Sequence, residues 1–164
     1  MRGRSKYLVF IAVFLAVDQV TKYAIFRSIN PYGVRSVIPG FFDLVHVQNK
    51  GAILGIFAKA NSSFMFVLLT LLSLTALGLV FYYFIKTPVS EKLMNISLSL
   101  ILAGALGNQV DRILRGYVID FLDFNFWGWH WPSFNVADSC ISIGAVLLIF
   151  LFFFKRGPEC FPSS

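Results

Sequence analysis

The sequence predicts an all-α membrane protein with four transmembrane helices, a small extracytoplasmic β element and a flap on the outer membrane face. Of its 164 residues only 13% are charged and 57% are hydrophobic, whereas a soluble domain carries about 25% charged residues. The hydrophobic residues come in four long blocks, and a helix needs ~20 such residues to cross a bilayer. A stretch after the first block is instead rich in β-branched and aromatic residues, which favours a strand.

The four apolar blocks define the predicted helices. These lie at about Tyr7–Phe26, Phe64–Ile85, Leu93–Leu114 and Val136–Phe154. The first block has a basic start, as a signal peptide would, but it lacks a small-residue cleavage site and contains two charged residues, so we interpret it as a retained helix. We expect all four helices to form a single integral-membrane domain over residues 1–164.

Two connections on one side of the bundle carry the predicted β element and flap. The first, Arg27–Ser63, is long and contains proline and glycine turn signals, and its segment Phe41–Val47 predicts a short strand. The second contains a cluster of five aromatic residues: Phe124, Phe126, Trp127, Trp129 and Trp131. Because such aromatics anchor proteins at lipid headgroups, we expect a small sheet or flap that lies on the membrane over the helix ends.

Basic residues indicate the orientation and exclude one class of function. They are divided almost evenly between the two sides, but the dense N-terminal group and the Lys155–Arg156 pair favour cytoplasmic termini. The net charge of +6 is scattered along the chain, whereas nucleic-acid binding needs a basic stripe on a solvated face. Cys140 and Cys160 share no motif, so we expect no disulfide, no metal site and no cofactor.

The acidic residues are the most informative feature of the sequence. The chain has eight Asp and Glu residues, and four of them fall between Asp111 and Asp138. A carboxylate beside membrane-spanning segments is energetically expensive, which makes each one a candidate functional residue. If the helices are antiparallel, Asp18 and Lys22 lie on the same side as these acids, and that side faces outward.

Two polar clusters have both a structural and a functional interpretation. Asp18 and Lys22 are four residues apart and share a helix face, so they form either a structural ion pair or part of a site. Asn108, Asp111 and Arg112 also share one face, as a polar helix end or as supporting residues. We favour support, because the neighbouring Arg112 keeps Asp111 charged and therefore a poor base.

Asp120 and Asp138 offer a specific chemistry. Two carboxylates that approach closely in a low-dielectric site cannot both ionise, so one keeps a proton while the other can act as general base on a shared water. Asp138 also has a structural interpretation, with Asn135 as a helix N-cap and Asp138 in the first turn, and this is compatible with catalysis. The lone His46 is interpreted as structural.

The residues alone leave several functions open. No HExxH or GxSxG motif occurs, which weakens other hydrolase chemistries. Carboxylates in a membrane fit a proton relay equally well, so a small proton-coupled membrane transporter or relay subunit is the alternative. A membrane assembly or binding factor is a third possibility.

Five motifs resemble those of lipoprotein signal peptidase (signal peptidase II), the bacterial intramembrane aspartyl peptidase family. They occur in the family's order and span about Leu15 to Gly144. The motifs are Asp18–Lys22, Asn49–Ala52, Gly104–Arg112, Val118–Phe121 and Phe134–Ser139.

The resemblance implies an aspartic endopeptidase of the bacterial inner membrane. It implies that the enzyme cuts diacylglyceryl-modified prolipoproteins just before the lipidated cysteine, with Asp120 and Asp138 as the catalytic pair. The residues implied to bind substrate or support the pair are Asp18, Lys22, Asn49, Gly51, Asn108, Asp111, Arg112, Asn135 and Ala137. The implied partners are the prolipoprotein substrate and membrane lipid, with no nucleic acid, and we expect a monomer.

Overall fold

The computed structural model describes residues 3–50 and 62–154. Within these residues it contains four helices and one four-stranded antiparallel sheet. The elements are α1 (Ser5–Ser28), β1 (Val34–Ile38), β2 (Phe42–Asn49), α2 (Ser62–Lys86), α3 (Lys92–Arg115), β3 (Val118–Phe126), β4 (Trp129–His130) and α4 (Val136–Phe154). Each helix is long and apolar enough to span a membrane, and each begins and ends within two residues of the predicted block.

Helix α3 is the central helix of the bundle. It packs against α1, α2 and α4, and 61% of its span is buried, whereas only 6% of the α2 span is. Its interior is partly polar, yet the hydroxyls of Ser97 and Ser99 donate to carbonyl oxygens one turn earlier, Leu93 at 2.8 Å and Asn95 at 2.6 Å. These bonds satisfy polar groups that would otherwise be expensive to bury.

Glycines let α3 and α4 approach closely. A Cβ added at Gly104 would overlap the carbonyl oxygen of Ala137, and one added at Gly144 would lie 2.7 Å from the carbonyl oxygen of Ser97. Small residues at helix contacts are typical of membrane bundles, where association depends on van der Waals packing. The close approach brings the first turn of α4 against the second half of α3.

The sheet is larger than predicted, and the all-α description was therefore too narrow. The predicted strand at Phe41–Val47 corresponds to β2, which pairs with β1 and β3 in the order β1-β2-β3-β4. Between β2 and β3, Phe42 lies opposite Phe124 and Asn49 opposite Val118, with a bulge between Leu44 and Val47. Strand β3 was expected to be a connection; pairing on both sides satisfies its backbone groups.

The sheet is attached to the end of α1. Ile25 of α1 and Ile29, which directly follows α1, form a buried cluster with Ile119 and Phe121 of β3. His46 of β2 is completely buried, and its Nδ1 lies 2.8 Å from the carbonyl oxygen of Ile29. This contact fits the structural interpretation of His46, and the cluster fixes the position of β3 relative to the helices.

The α3–α4 packing generates a stability prediction. We expect Gly104→Ala to lower the melting temperature in detergent, because overpacking costs about 1–3 kcal/mol, more than the ~1 kcal/mol that alanine gains over glycine within a helix. Gly78→Ala in α2 is the matched control, since no atom lies within 4 Å of its added Cβ; this variant should be as stable as the wild type or more stable. Equal melting temperatures for the wild type and Gly104→Ala would contradict the close packing.

Candidate active site

Asp120 and Asp138 converge on one asparagine side chain. Asp120 comes from β3 and Asp138 from the first turn of α4. Asn135, just before α4, donates from Nδ2 to Asp120 Oδ1 at 2.7 Å, while its Oδ1 accepts the backbone N–H of Asp138 at 2.9 Å. One amide group therefore links the strand that carries the first carboxylate to the helix that carries the second.

The same asparagine caps helix α4. The side chain of Asp138 accepts the backbone N–H of Asn135 through Oδ2 at 3.2 Å, so the two residues exchange hydrogen bonds as in a capping box. The N-cap that the sequence predicts is thus present, and it coexists with the link to Asp120. Capping fixes the backbone at the first turn and hence the direction of the Asp138 side chain.

Two further asparagines donate to the remaining carboxylate oxygens. Asn49, the last residue of β2, donates from Nδ2 to Asp120 Oδ2 at 2.8 Å. Asn108 of α3 donates from Nδ2 to Asp138 Oδ1 at 2.8 Å. Both oxygens of each carboxylate therefore accept a hydrogen bond, and these donors come from three different parts of the chain.

The surroundings of Asp120 favour its protonated form. Burial away from water, followed by the negative charge of Asp138, raises the pKa of Asp120 to about 7, against the opposing effect of the hydrogen bonds from Asn49 and Asn135. A carboxyl group with this pKa can hold or release a proton near neutral pH, which is the property that acid–base catalysis requires.

Behind the two carboxylates lies a buried ionic cluster centred on Lys22. The Lys22 side chain is fully buried, and its Nζ lies 2.9 Å from carboxylate oxygens of both Asp18 and Asp111. Arg115 also pairs with Asp111. Asp111 is therefore committed to two cations, which supports the choice of Asp120 over Asp111 as the reactive residue.

Lys22 also orients Asn108. Its Nζ donates to Asn108 Oδ1 at 3.0 Å, so the opposite end of this amide, Nδ2, is directed at Asp138. An ammonium group can only donate, which determines which way the amide points. The ionic cluster thus controls a hydrogen bond to Asp138 without touching it.

Asp18 connects the cluster to α4. Its Oδ1 accepts the backbone N–H of Ala137 at 2.8 Å, and Gln19 donates to its Oδ2 at 3.1 Å. A Cβ at Gly107 would lie 2.5 Å from Asp18 Oδ2, so only glycine leaves room for this carboxylate. The predicted site set omitted Gln19, Gly107 and Arg115, although the first two lie within the motifs that carry the resemblance.

The other predicted residues are placed as follows. The Arg112 guanidinium is half-buried and interacts electrostatically with Asp138, Asp120 and Asp111. Gly51 lies outside the described residues. Among residues 3–50 and 62–154, no group of three or more His, Cys, Asp or Glu side chains is arranged to hold a metal ion.

Asp123 is the acid on β3 that does not join the site. It is three residues after Asp120, and since side chains alternate along a strand it points to the opposite face. Its carboxylate lies 2.7 Å from His130 Nδ1 and accepts from Ser133 Oγ at 3.4 Å. Asp123 therefore contributes to the β3–β4 hairpin.

Comparison with known proteins identifies the family. The family model described as signal peptidase (SPase) II matches residues 10–154. The chain belongs to the signal peptidase II family. A lipoprotein signal peptidase of Syntrophus aciditrophicus (strain SB) is 43% identical over 87% of this chain and 89% of its own length. One of Burkholderia vietnamiensis (strain G4 / LMG 22486) is 45% identical over 84% of this chain and 81% of its own.

The fold agrees with this membership. A solved structure described as a bacterial membrane enzyme superposes with a TM-score of 0.79 at 32% identity, covering 98% of this chain and 95% of that one. The family membership makes this membrane protein a peptidase.

The ionic cluster generates a stability prediction. Lys22→Met should leave the Asp18 carboxylate as an uncompensated buried charge and Asp111 with Arg115 as its one cationic partner, and breaking a buried ion pair costs about 3–5 kcal/mol. We expect little folded protein, measured as the monodisperse fraction after size exclusion and by thermal unfolding. Lys6→Met changes an exposed lysine on the same helix and should behave as the wild type.

Charge neutralisation provides the second control. Adding Asp18→Asn to Lys22→Met removes the stranded charge while Arg115 still pairs with Asp111, and it should recover part of the folded fraction. If Lys22→Met alone is as stable as the wild type, Lys22 does not hold the cluster together.

Proposed function

We propose that this peptidase removes the signal peptide from diacylglyceryl-modified prolipoproteins by cutting just before the lipidated cysteine. Family membership and the relatives named lipoprotein signal peptidase support this function. A substrate with a signal helix and a lipid anchor lies in the membrane, and four membrane-spanning candidates are present among the described helices. The proton-coupled transporter is not favoured, because the family is one of peptidases.

The catalytic groups of this reaction are Asp120 and Asp138. The observation that carries the proposal is the buried Asp120 carboxylate and the half-buried Asp138 carboxylate, both held by Asn135, with the pKa of Asp120 raised to about 7. Such a pair holds one proton at neutral pH, so it presents one acid and one base at the same time.

The reaction proceeds through a water molecule between the two carboxyl groups. The ionised carboxylate takes a proton from the water as its oxygen attacks the scissile carbonyl carbon. The protonated carboxyl group donates its proton to the carbonyl oxygen, which gives a tetrahedral diol intermediate. The first carboxyl group then passes the proton that it took from the water to the leaving nitrogen, the second recovers a proton from one hydroxyl group of the intermediate, and the C–N bond breaks. The two products are the signal peptide with a free carboxylate and the lipoprotein with a free amino terminus on its lipidated cysteine.

The remaining polar residues act in different ways. Asn49 and Arg112 lie at the edge of the pair and are proposed to contact the substrate, together with Gly51. Asn108 and Asn135 hold the carboxylates through hydrogen bonds. Lys22 and Asp111 have no exposed surface, so their role is to support these residues rather than to touch the substrate. Asp18 and Ala137 join this support through their mutual hydrogen bond.

We propose that the enzyme is a multi-pass monomer of the bacterial inner membrane with both termini in the cytoplasm. Arg4, just before α1, donates to the carbonyl oxygens of Ile85 and Thr87, which brings it beside Lys86 in the last turn of α2, at the helix ends opposite to Asp120. The sheet and the carboxylate pair then lie at the outer face, where a prolipoprotein exposes its cleavage site.

The first functional prediction concerns the carboxylate pair. Asp120→Asn and Asp138→Asn should each abolish cleavage of a diacylglyceryl-modified prolipoprotein by purified, folded enzyme, because an amide can neither accept nor deliver the proton. Asp123→Asn is the matched control: it removes an acid from the same strand but from the opposite face, and it should keep most of the activity. Normal cleavage by either pair variant would refute the assignment.

The second functional prediction concerns pH. Because catalysis needs one proton on the pair and the pKa of Asp120 is raised to about 7, kcat/KM should fall as pH rises above about 7 and both carboxylates ionise. Asn49→Ala removes a hydrogen bond that lowers this pKa, so the alkaline limb of the profile should move to higher pH. Gln48→Ala changes a neighbour on the opposite strand face and should leave the limb in place. An alkaline limb that moves equally in both variants would contradict this role of Asn49.

A further inference from the structure

The end of the sheet remote from the carboxylates exposes a group of aromatic side chains. We call Phe41, Phe126, Trp127, Trp129 and Trp131 the aromatic edge. Trp127 is fully exposed, Trp129 is 57% exposed and Trp131 is 51% exposed. Isolated exposed hydrophobic residues need no explanation, but a contiguous exposed aromatic group marks an interaction surface.

Trp127 occupies a turn position that favours Gly, Asn or Asp, and its side chain is not packed against the rest of the chain. Trp127 has φ of 53° and the next residue, Gly128, has φ of 90°. A bulky residue in this left-handed region is strained, and full exposure means that Trp127 gains no packing within the chain. The turn itself is held by Asn125, whose Oδ1 accepts the Gly128 N–H at 2.8 Å. Positive φ at both positions is what a two-residue hairpin loop requires, so the turn explains the backbone, and the fully exposed Trp127 side chain is left available for a contact outside the chain.

The aromatic edge is firmly connected to β3. The Phe41 ring packs edge-on against the rings of Phe124 and Phe126, with centroids 5.7 and 5.8 Å apart. The Asn125 N–H also donates to the carbonyl oxygen of Phe41 at 2.8 Å. Trp129 and Trp131 contact each other with centroids 5.6 Å apart. The position of the aromatic edge is therefore coupled to the position of β3, the strand that carries Asp120.

We infer that the aromatic edge inserts into the lipid headgroup layer of the membrane and so sets the height of Asp120 above the bilayer. Tryptophan is enriched at this layer, because its ring is apolar and its N–H is polar. The edge contains no charged side chain, and the lipid-facing surface continues to the base of the sheet, since Ile113 and Leu114 at the end of α3 are 72% and 73% exposed.

On the proposed function, the position of the aromatic edge also determines where Asp120 meets the scissile bond. Asp120 precedes Phe126 by six residues, so the edge and the carboxylate lie about 20 Å apart along one strand at ~3.3 Å per residue. The scissile bond of the proposed substrate is itself held at a fixed height by its lipid anchor. If the edge is bound to the headgroups, the height of Asp120 is fixed as well. The Asp120 carboxylate and the scissile bond then meet at the same depth.

The first test uses the intrinsic fluorescence of the full chain in phosphatidylcholine liposomes. All three tryptophans of the sequence lie on the edge, so no label is needed. Lipids brominated close to the headgroup should quench the emission strongly, lipids brominated at the chain ends should quench it less, and aqueous iodide should have little effect. Quenching by iodide alone, or strongest quenching from the chain ends, would overturn the inference.

The second test compares cleavage in two environments. The double variant Trp127→Asn/Trp129→Thr keeps residue types suited to a left-handed turn position and a strand. Cleavage of a diacylglyceryl-modified prolipoprotein should fall several-fold in liposomes and remain unchanged in detergent micelles, where no bilayer fixes the heights. An equal loss in both environments would show that the edge does not set the depth.

A matched control and an independent readout complete the design. Tyr32 also has a positive φ, 60°, and is 71% exposed, but it lies at the opposite end of β1; Tyr32→Asn should leave cleavage unchanged in both environments. If Tyr32→Asn reproduces the loss in liposomes, the effect is not specific to the edge and the inference fails. Absence of cleavage by the wild type would instead refute the proposed function, and the quenching experiment would still decide where the edge lies.

Discussion

The burial of Lys22 is the constraint on which the rest of the structure depends. An ammonium group deep in a membrane bundle requires compensating charge, and here Asp18 and Asp111 supply it at 2.9 Å each. These partners come from α1 and α3, and Asp18 also accepts the backbone N–H of Ala137 in α4. The three helices therefore have to meet at one depth, and the small residues between them, such as Gly107, are what allow it.

The site is built outward from this cluster through amide groups. Lys22 orients Asn108, Asn108 donates to Asp138, and Asn135 joins Asp138 to Asp120. Amides are suited to this task because each can accept at one end and donate at the other. The buried charges stay away from the reacting groups, and the carboxylates are held by neutral donors that leave their proton free to move.

The four helices and the convergence of their charged residues could be predicted from the sequence, because a membrane-spanning helix requires a long apolar segment. Long apolar blocks fix the helices, and antiparallel packing brings Asp18, Lys22 and Asp138 to one side. The four-stranded sheet could not be predicted in the same way, because β3 depends on pairing with distant strands rather than on local pattern. Arg112 is adjacent to Asp111 in the sequence and was therefore predicted as its partner. Arg115 was missed, although it is one helical turn from Asp111 and its side chain pairs with the Asp111 carboxylate.

The bulge in β2 decides which residues of that strand can reach Asp120. From Phe42 to Leu44 the strand pairs in one register with β3, and from Val47 to Asn49 it pairs one residue out of step. Because side chains alternate, this single extra residue reverses which positions face Asp120. A β2 strand of the same length that kept the register of Phe42–Leu44 throughout would place His46 opposite Asp120, and it would place Gln48 rather than Asn49 opposite Val118. The extra residue at Val45–His46 therefore matters as much as the identity of Asn49, because without it the asparagine side chain would face away from Asp120.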